Sequence, residues 1–308
     1  CFGTAYPNGL YCVRTDRRGR MFSDFVIWYL FLAGTGAGAF VWAAIDDVRT
    51  NPDGDIRFAS TSAYVGFLGG TVCLAVAALL LFLDLGNPRN IAYLFESPVR
   101  SLVSAGAWII GIGLAVSASV SVLLIFHPDA PRLFRGLEFV GSLFGVGVMN
   151  YTGLLLSSMT AIDLWNTPLL IVLFIVSSLN CGRAFIVFGA FLLEGGTRRM
   201  SDFMDATRMF AMLEAIVLVA FLASRWIRGD AARQSCLMLF QGDIAGLFWG
   251  GLVVIGIAMP IAAEALGRIA PAPSLELVDA GATLAGGACL RYCIVLAGAY
   301  SAIVTVAS

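Results

Sequence analysis

The chain alternates between long apolar runs and short polar connections. Eight runs stand out: Asp24–Ile45, Ser60–Leu83, Leu102–Phe126, Leu137–Ser158, Pro168–Leu193, Met209–Ile227, Ile244–Leu266 and Gly281–Val306. Each approaches or exceeds the ~20 residues that an α-helix needs to cross the hydrocarbon core of a bilayer. Asp, Arg, Asn and Pro collect in the connections, and no connection is long enough for a soluble domain. The pattern predicts an all-α integral membrane protein, an eight-transmembrane-helix bundle built as two four-helix halves. It occupies residues 23–308, after a polar tail at 1–22 that carries Arg14, Arg17, Arg18 and Arg20. The tail lacks the basic, apolar, small-residue order of a cleavable signal.

Composition agrees with a lipid setting. Hydrophobic residues make up 59% of the chain and charged ones 13%, against about 25% charged in soluble domains. That is too little charge to solvate an ordinary surface. Net charge is −1, so no basic face points to nucleic acid. Arginines divide almost evenly between the two sides, and only the tail leans toward a cytoplasmic N-terminus.

Seven cysteines include no CxxC pair, so neither an Fe–S cluster nor a structural zinc site is indicated. Cys73, Cys181, Cys289 and Cys293 lie in apolar runs and read as small buried hydrophobes. Cys1 and Cys12 share the tail and can pair if it is extracytoplasmic. The single histidine, His127, sits in a connection beside Pro128. A b haem held by paired imidazoles is therefore not expected, and no metal site is.

Ionisable groups inside a membrane are expensive and call for a reason. Arg183 lies in the middle of the fifth run, Glu214 in the sixth, Glu264 near the end of the seventh and Arg291 in the eighth. Asp84 closes the second run in Asp84-Leu85-Gly86-Asn87-Pro88-Arg89. A buried Arg needs an acidic or carbonyl partner, and Asp84, Glu214 and Glu264 are the candidates. A pair that locks helices and a group that relays protons look alike at this level. Glu264 also fits a carboxylate snorkelling to the interface.

Aromatic and amide groups gather at one end of the predicted path. Trp28 and Tyr29 lie in the first part of the first run, Asn150-Tyr151-Thr152-Gly153 lies late in the fourth, and Trp165-Asn166-Thr167-Pro168 opens the fifth. Alternating helices put these and Asp84 at one membrane face. A quinone headgroup needs such a setting: a hydroxyl or amide donor, a proton donor and an apolar wall. Trp28 and Trp165 equally fit an interfacial aromatic belt. Gly34-Thr35-Gly36-Ala37-Gly38-Ala39 supplies small residues for close helix packing.

Four ordered motifs carry a resemblance. They are Trp28-Tyr29-Leu30-Phe31-Leu32-Ala33-Gly34-Thr35-Gly36-Ala37-Gly38; the Asp84–Arg89 segment followed by Ser104-Ala105-Gly106-Ala107-Trp108; Tyr151-Thr152-Gly153 with Trp165-Asn166-Thr167-Pro168; and Leu290-Arg291-Tyr292 with Ala297-Gly298. Together they resemble the NrfD/PsrC-like membrane subunits of polysulfide-reductase-type complexes. The resemblance implies a multi-pass subunit of a bacterial or archaeal cytoplasmic membrane with neither haem nor Fe–S of its own. It would act on menaquinone or ubiquinone and exchange electrons with a four-cluster ferredoxin-like iron–sulfur subunit. That partner would lead to a molybdopterin or multihaem cytochrome catalytic subunit. The family's helix-4 tyrosine maps to Tyr151 as a quinone contact, and its acid after helix 2 maps to Asp84 for proton transfer. Trp28, Asp24, Asn150 and Arg89 are further quinone candidates, and Glu214, Arg291 and Arg183 further proton-transfer candidates. The resemblance also implies an N-terminus and quinone site outside the cytoplasm. A histidine that some members place near the start of helix 1 is missing here. The alternative is a secondary transporter or proton channel lined by Arg183, Glu214 and Arg291, whose mark would be helices broken at the midplane.

Overall fold

The structure is a computed structural model that describes residues 24–51, 60–84, 102–126, 130–160, 162–194, 201–269 and 272–307. The tail at 1–22, Arg89 and His127 lie outside the described residues. Nine helices fill the described parts. They are α1 (Asp24–Thr50), α2 (Thr61–Asp84), α3 (Leu102–Phe126), α4 (Pro131–Ser157), α5 (Pro168–Glu194) and α6 (Ser201–Arg228). Then come α7 (Asp230–Gln241), α8 (Leu247–Ala258 continuing through Met259–Ile269) and α9 (Pro273–Ala307). Eight of them are long and apolar enough to cross a membrane, and α7, at 12 residues, is not. Helices dominate because a polypeptide in lipid must satisfy its backbone groups within each segment.

Local chemistry sets several helix starts. Ser60 caps α2, its Oγ accepting from the Ala63 amide at 3.2 Å. Proline opens α4, α5 and α9, where its missing N–H costs nothing. α2 and α8 contain π-helical stretches at Val65–Gly69 and Leu247–Ala258, and both helices stay continuous through them.

α1 and α5 form the centre. In each, 72% of the spanning stretch is buried, against 28% in α6, which faces outward. α1 packs with α2 and α4, α3 packs on α4, and α5 packs with α6 and α9, which in turn holds α8. The two four-helix halves thus meet along α1 and α5. Glycine makes that seam possible. A Cβ on Gly38 would run into the Ser178 carbonyl, and one on Gly182 into the Gly38 backbone. The backbones touch directly, as small-residue packing in membranes allows. Trp42 adds an indole hydrogen bond to the Leu179 carbonyl at 2.9 Å across the same seam.

Several boundaries lie outside the ranges that the hydrophobic pattern predicts, and two of the early starts bear on the site. α4 begins at Pro131 rather than Leu137, and α9 at Pro273 rather than Gly281. Both extensions hold charged residues that look like connection in the sequence. In the bundle Glu276 and Asp279 of the α9 extension are buried, as is Glu138, just inside the predicted start of the fourth run. α7 has no counterpart among the predicted elements. It packs on α6 and α9 and buries Ala232, Ser235, Cys236 and Leu239.

Candidate functional site

The start of α1, the latter part of α4 and the α4–α5 connection share one end of the bundle. Tyr151 turns inward there and is 3% exposed. Its ring lies on α3 at Gly106, where any Cβ would overlap the phenol. Tyr29 of α1 is fully buried, close enough to Tyr151 for the two phenols to interact electrostatically. The Tyr29 hydroxyl has no hydrogen-bond partner. Leaving a buried hydroxyl unsatisfied costs about 1–3 kcal/mol, so this group demands an explanation.

The other candidates at this end separate into inward and outward. Asp24 accepts a hydrogen bond from the Tyr292 hydroxyl at 2.9 Å, which ties α1 to α9. Trp165 is fully buried and donates its indole N–H to the Ile294 carbonyl at 2.9 Å, so it is an internal anchor rather than a belt residue. Trp28, 45% exposed, and Asn150 face outward, away from the buried side of Tyr151. Asp84 is exposed at the end of α2. The structure therefore brings together Tyr151 and Tyr29. It places Trp28, Asn150 and Asp84 on outer surfaces, and Arg89 falls outside the described residues.

The midplane groups sit deeper, around α5. Arg291 donates from Nη1 to the Ser177 hydroxyl at 3.0 Å and to the Gly287 carbonyl at 2.8 Å. Its Nη2 donates to the Ser178 hydroxyl at 3.0 Å, and the rings of Phe31 and Phe174 flank the guanidinium. Of the acidic or carbonyl partner that a buried Arg needs, the carbonyl is the one found, joined by two serine hydroxyls. Glu214 accepts from the Asn180 amide at 2.8 Å and is hydrogen-bonded to Ser177, so Ser177 links the acid to the arginine. Arg183 pairs instead with Asp279 at 3.8 Å, with Glu264 nearby. Glu264 is 3% exposed and does not snorkel. Asp279 escapes a reading of the sequence because it lies in a stretch that resembles connection before the eighth run.

Tyr29 is absent from the site residues that the sequence suggests, yet its signal is present there. Ala33 and Ala37 follow it at helical spacing, and all three are fully buried. Tyr29 thus shares the face that carries small residues, while Trp28 is rotated about 100° away. The same reasoning separates Tyr151 from Asn150. Gly141, Gly145 and Val148 trace the buried stripe of α4, and Tyr151 continues it.

Comparison with known proteins decides the family. The model of the family described as "Polysulphide reductase, NrfD" matches residues 15–303. The chain belongs to the NrfD family. The C subunit of the polysulfide reductase of Wolinella succinogenes is 29% identical to this NrfD-family protein over 316 residues, covering 89% of the chain and 94% of that subunit. Protein NrfD of Escherichia coli strain K12 is 26% identical, covering 68% of the chain and 64% of its own length. An NrfD homolog of Haemophilus influenzae is 25% identical, covering 88% and 92%. Family membership and eight membrane-crossing helices make the chain a multi-pass membrane protein of the polysulfide reductase type. Among the described residues, no group of three or more His, Cys, Asp or Glu side chains is placed to hold a metal ion.

Proposed function

We propose that this NrfD-family chain is the quinone-reactive membrane subunit of a respiratory oxidoreductase in a prokaryotic cytoplasmic membrane. The observation that carries the reading is the pair of buried phenols, Tyr29 and Tyr151, one of them without a hydrogen-bond partner. A quinone carbonyl or quinol hydroxyl between them supplies the missing partner. Quinol oxidation releases two electrons and two protons. The electrons leave to a four-cluster iron–sulfur subunit, which passes them to a molybdopterin or multihaem catalytic subunit. Tyr151 orients the headgroup by its hydroxyl, and Asp84, exposed at the same end, exchanges the proton with water. Asp24, Trp28 and Asn150 belong to the surroundings of the headgroup and tail, and Arg89 is a further quinone candidate by the family resemblance alone. Glu214, Ser177 and Arg291 form a continuous polar chain suited to proton movement deeper in the bundle, and Arg183 with Asp279 forms a second polar group.

The test is turnover in membranes. Tyr151→Phe and Asp84→Asn are each expected to lower quinol-linked electron transfer by about tenfold or more while the subunit still assembles. Normal rates in both variants would sink the assignment. The transporter reading is answered by the same preparation, since solute uptake by proteoliposomes of the chain without a redox partner would favour it.

A further inference from the structure

At the end of the bundle opposite Tyr151, α1 and α4 bring two carboxyl groups onto one guanidinium. Arg135 Nη1 donates to Asp47 Oδ2 at 3.0 Å and to Glu138 Oε2 at 2.8 Å. Its Nη2 donates to the Asn51 carbonyl. Asp47 is 1% and Glu138 2% exposed. Glu138 Oε1 and Asp47 Oδ1 make no hydrogen bond, although the Asn51 side chain lies beside the Asp47 carboxyl. A groove of about 400 Å³ opens beside Glu138, lined also by Ile45, Val48, Arg49, Phe139 and Ser142.

Among the described residues, the charged groups nearby do not restore the balance. Asp46 adds a further carboxylate next to Asp47 and is held by the hydroxyls of Ser60 and Ser62. Arg49 and Arg132 are the other cations on the two helices at this end, and neither makes an ion pair with the triad. The described part of α3 has no charged residue, and α2 has none before Asp84 at its far end. α5 contributes Arg183, which is paired with Asp279, and Glu194 at its terminus.

Two buried carboxylates against one guanidinium leave one negative charge with an unsolvated oxygen. A carboxyl in that position takes up a proton rather than remain ionised. Asp47 has two donors beside it, Arg135 and Asn51, and is the better placed of the two to hold the negative charge. Glu138 has Arg135 alone. We propose that the Asp47–Arg135–Glu138 triad is a proton-binding site that takes one proton, on Glu138 Oε1, exchanged with water at this face of the membrane. One O–H bond forms on Oε1 as hydronium gives up a proton, and no electron moves. Use of the site as the far port for quinol-linked protons rests on the proposed function; its protonation does not.

Infrared spectroscopy of the complex in lipid nanodiscs at neutral pH, with H₂O–D₂O exchange, tests the site. A protonated-carboxyl stretching band that shifts in D₂O is expected, lost in Glu138→Gln. Asp47→Asn is expected to abolish it too, because Glu138 then ionises against Arg135 alone. A merely buried acid would keep its proton in that variant. The absence of any Glu138-dependent band, or its survival in Asp47→Asn, overturns the proposal. If Glu138→Gln does not assemble, Asp47→Asn decides alone. Tyr151→Phe leaves the band in place, so the quinone reading and this one fail separately.

Discussion

Tyr29 shows most sharply how one side chain exposes a conflict between stability and use. A hydroxyl with no partner in a fully buried place lowers stability relative to the bare ring. Tyr29→Phe is therefore expected to leave the thermal midpoint of the purified complex unchanged or raise it, by the equivalent of about 1 kcal/mol. The same variant is expected to weaken quinol-linked turnover, seen as a higher KM for quinol. A lower midpoint with unchanged kinetics would assign Tyr29 to packing alone. Gly106 belongs to the same argument, since its missing side chain is the space into which Tyr151 lies.

Among the elements, α7 is the one that the hydrophobic pattern does not announce. Its residues are polar on one side, and its apolar side is a stripe too short to cross lipid. It lies after α6, whose Arg225 donates to the carbonyls of Asp163 and Asn166 at 3.1 and 3.0 Å and so fixes the α4–α5 connection. Cys236 of α7 is fully buried, and burial pushes its thiol up to about 11 although Arg225 pulls it down. The protonated thiol is the form the fold favours. Its contribution to stability is complete below the ordinary thiol value of 9 and is lost as pH rises from 9 to about 11. Maleimide labelling of Cys236 in the folded complex is accordingly expected to stay negligible near pH 8. Rapid labelling there would show that α7 detaches from the bundle.

At the scale of the whole molecule, the buried arginines tie α5 and α9 of the second half to each other. Arg183 and Asp279 connect α5 to α9 with exposures of 0% and 2%. Removing one member of such a pair leaves a buried charge and costs about 3–5 kcal/mol. Asp279→Leu alone is expected to abolish or severely reduce assembly, read as subunit abundance in membranes. The double variant Asp279→Leu with Arg183→Met is expected to recover abundance, because neither charge is left unpaired. If the pair belongs to a proton route, turnover stays low after abundance returns.

The number, order and apolar character of the spans are legible in the residues alone, because crossing lipid imposes a length and a composition that cannot be disguised. Tyr151, Arg183, Glu214 and Arg291 are also marked there as residues needing a reason, because a polar group in an apolar run is visible without neighbours. Trp165 and Glu264 read as interface residues in the sequence but are buried in the bundle, since burial is set by which helix packs on which. Helix packing likewise chooses the partners. It assigns Arg183 to Asp279 and Arg291 to serines. It sets Tyr29 rather than Trp28 beside Tyr151 and draws Asp47 and Glu138 onto one arginine. Those pairings join residues up to more than a hundred positions apart, and no local pattern along the sequence records which helices bring them within reach.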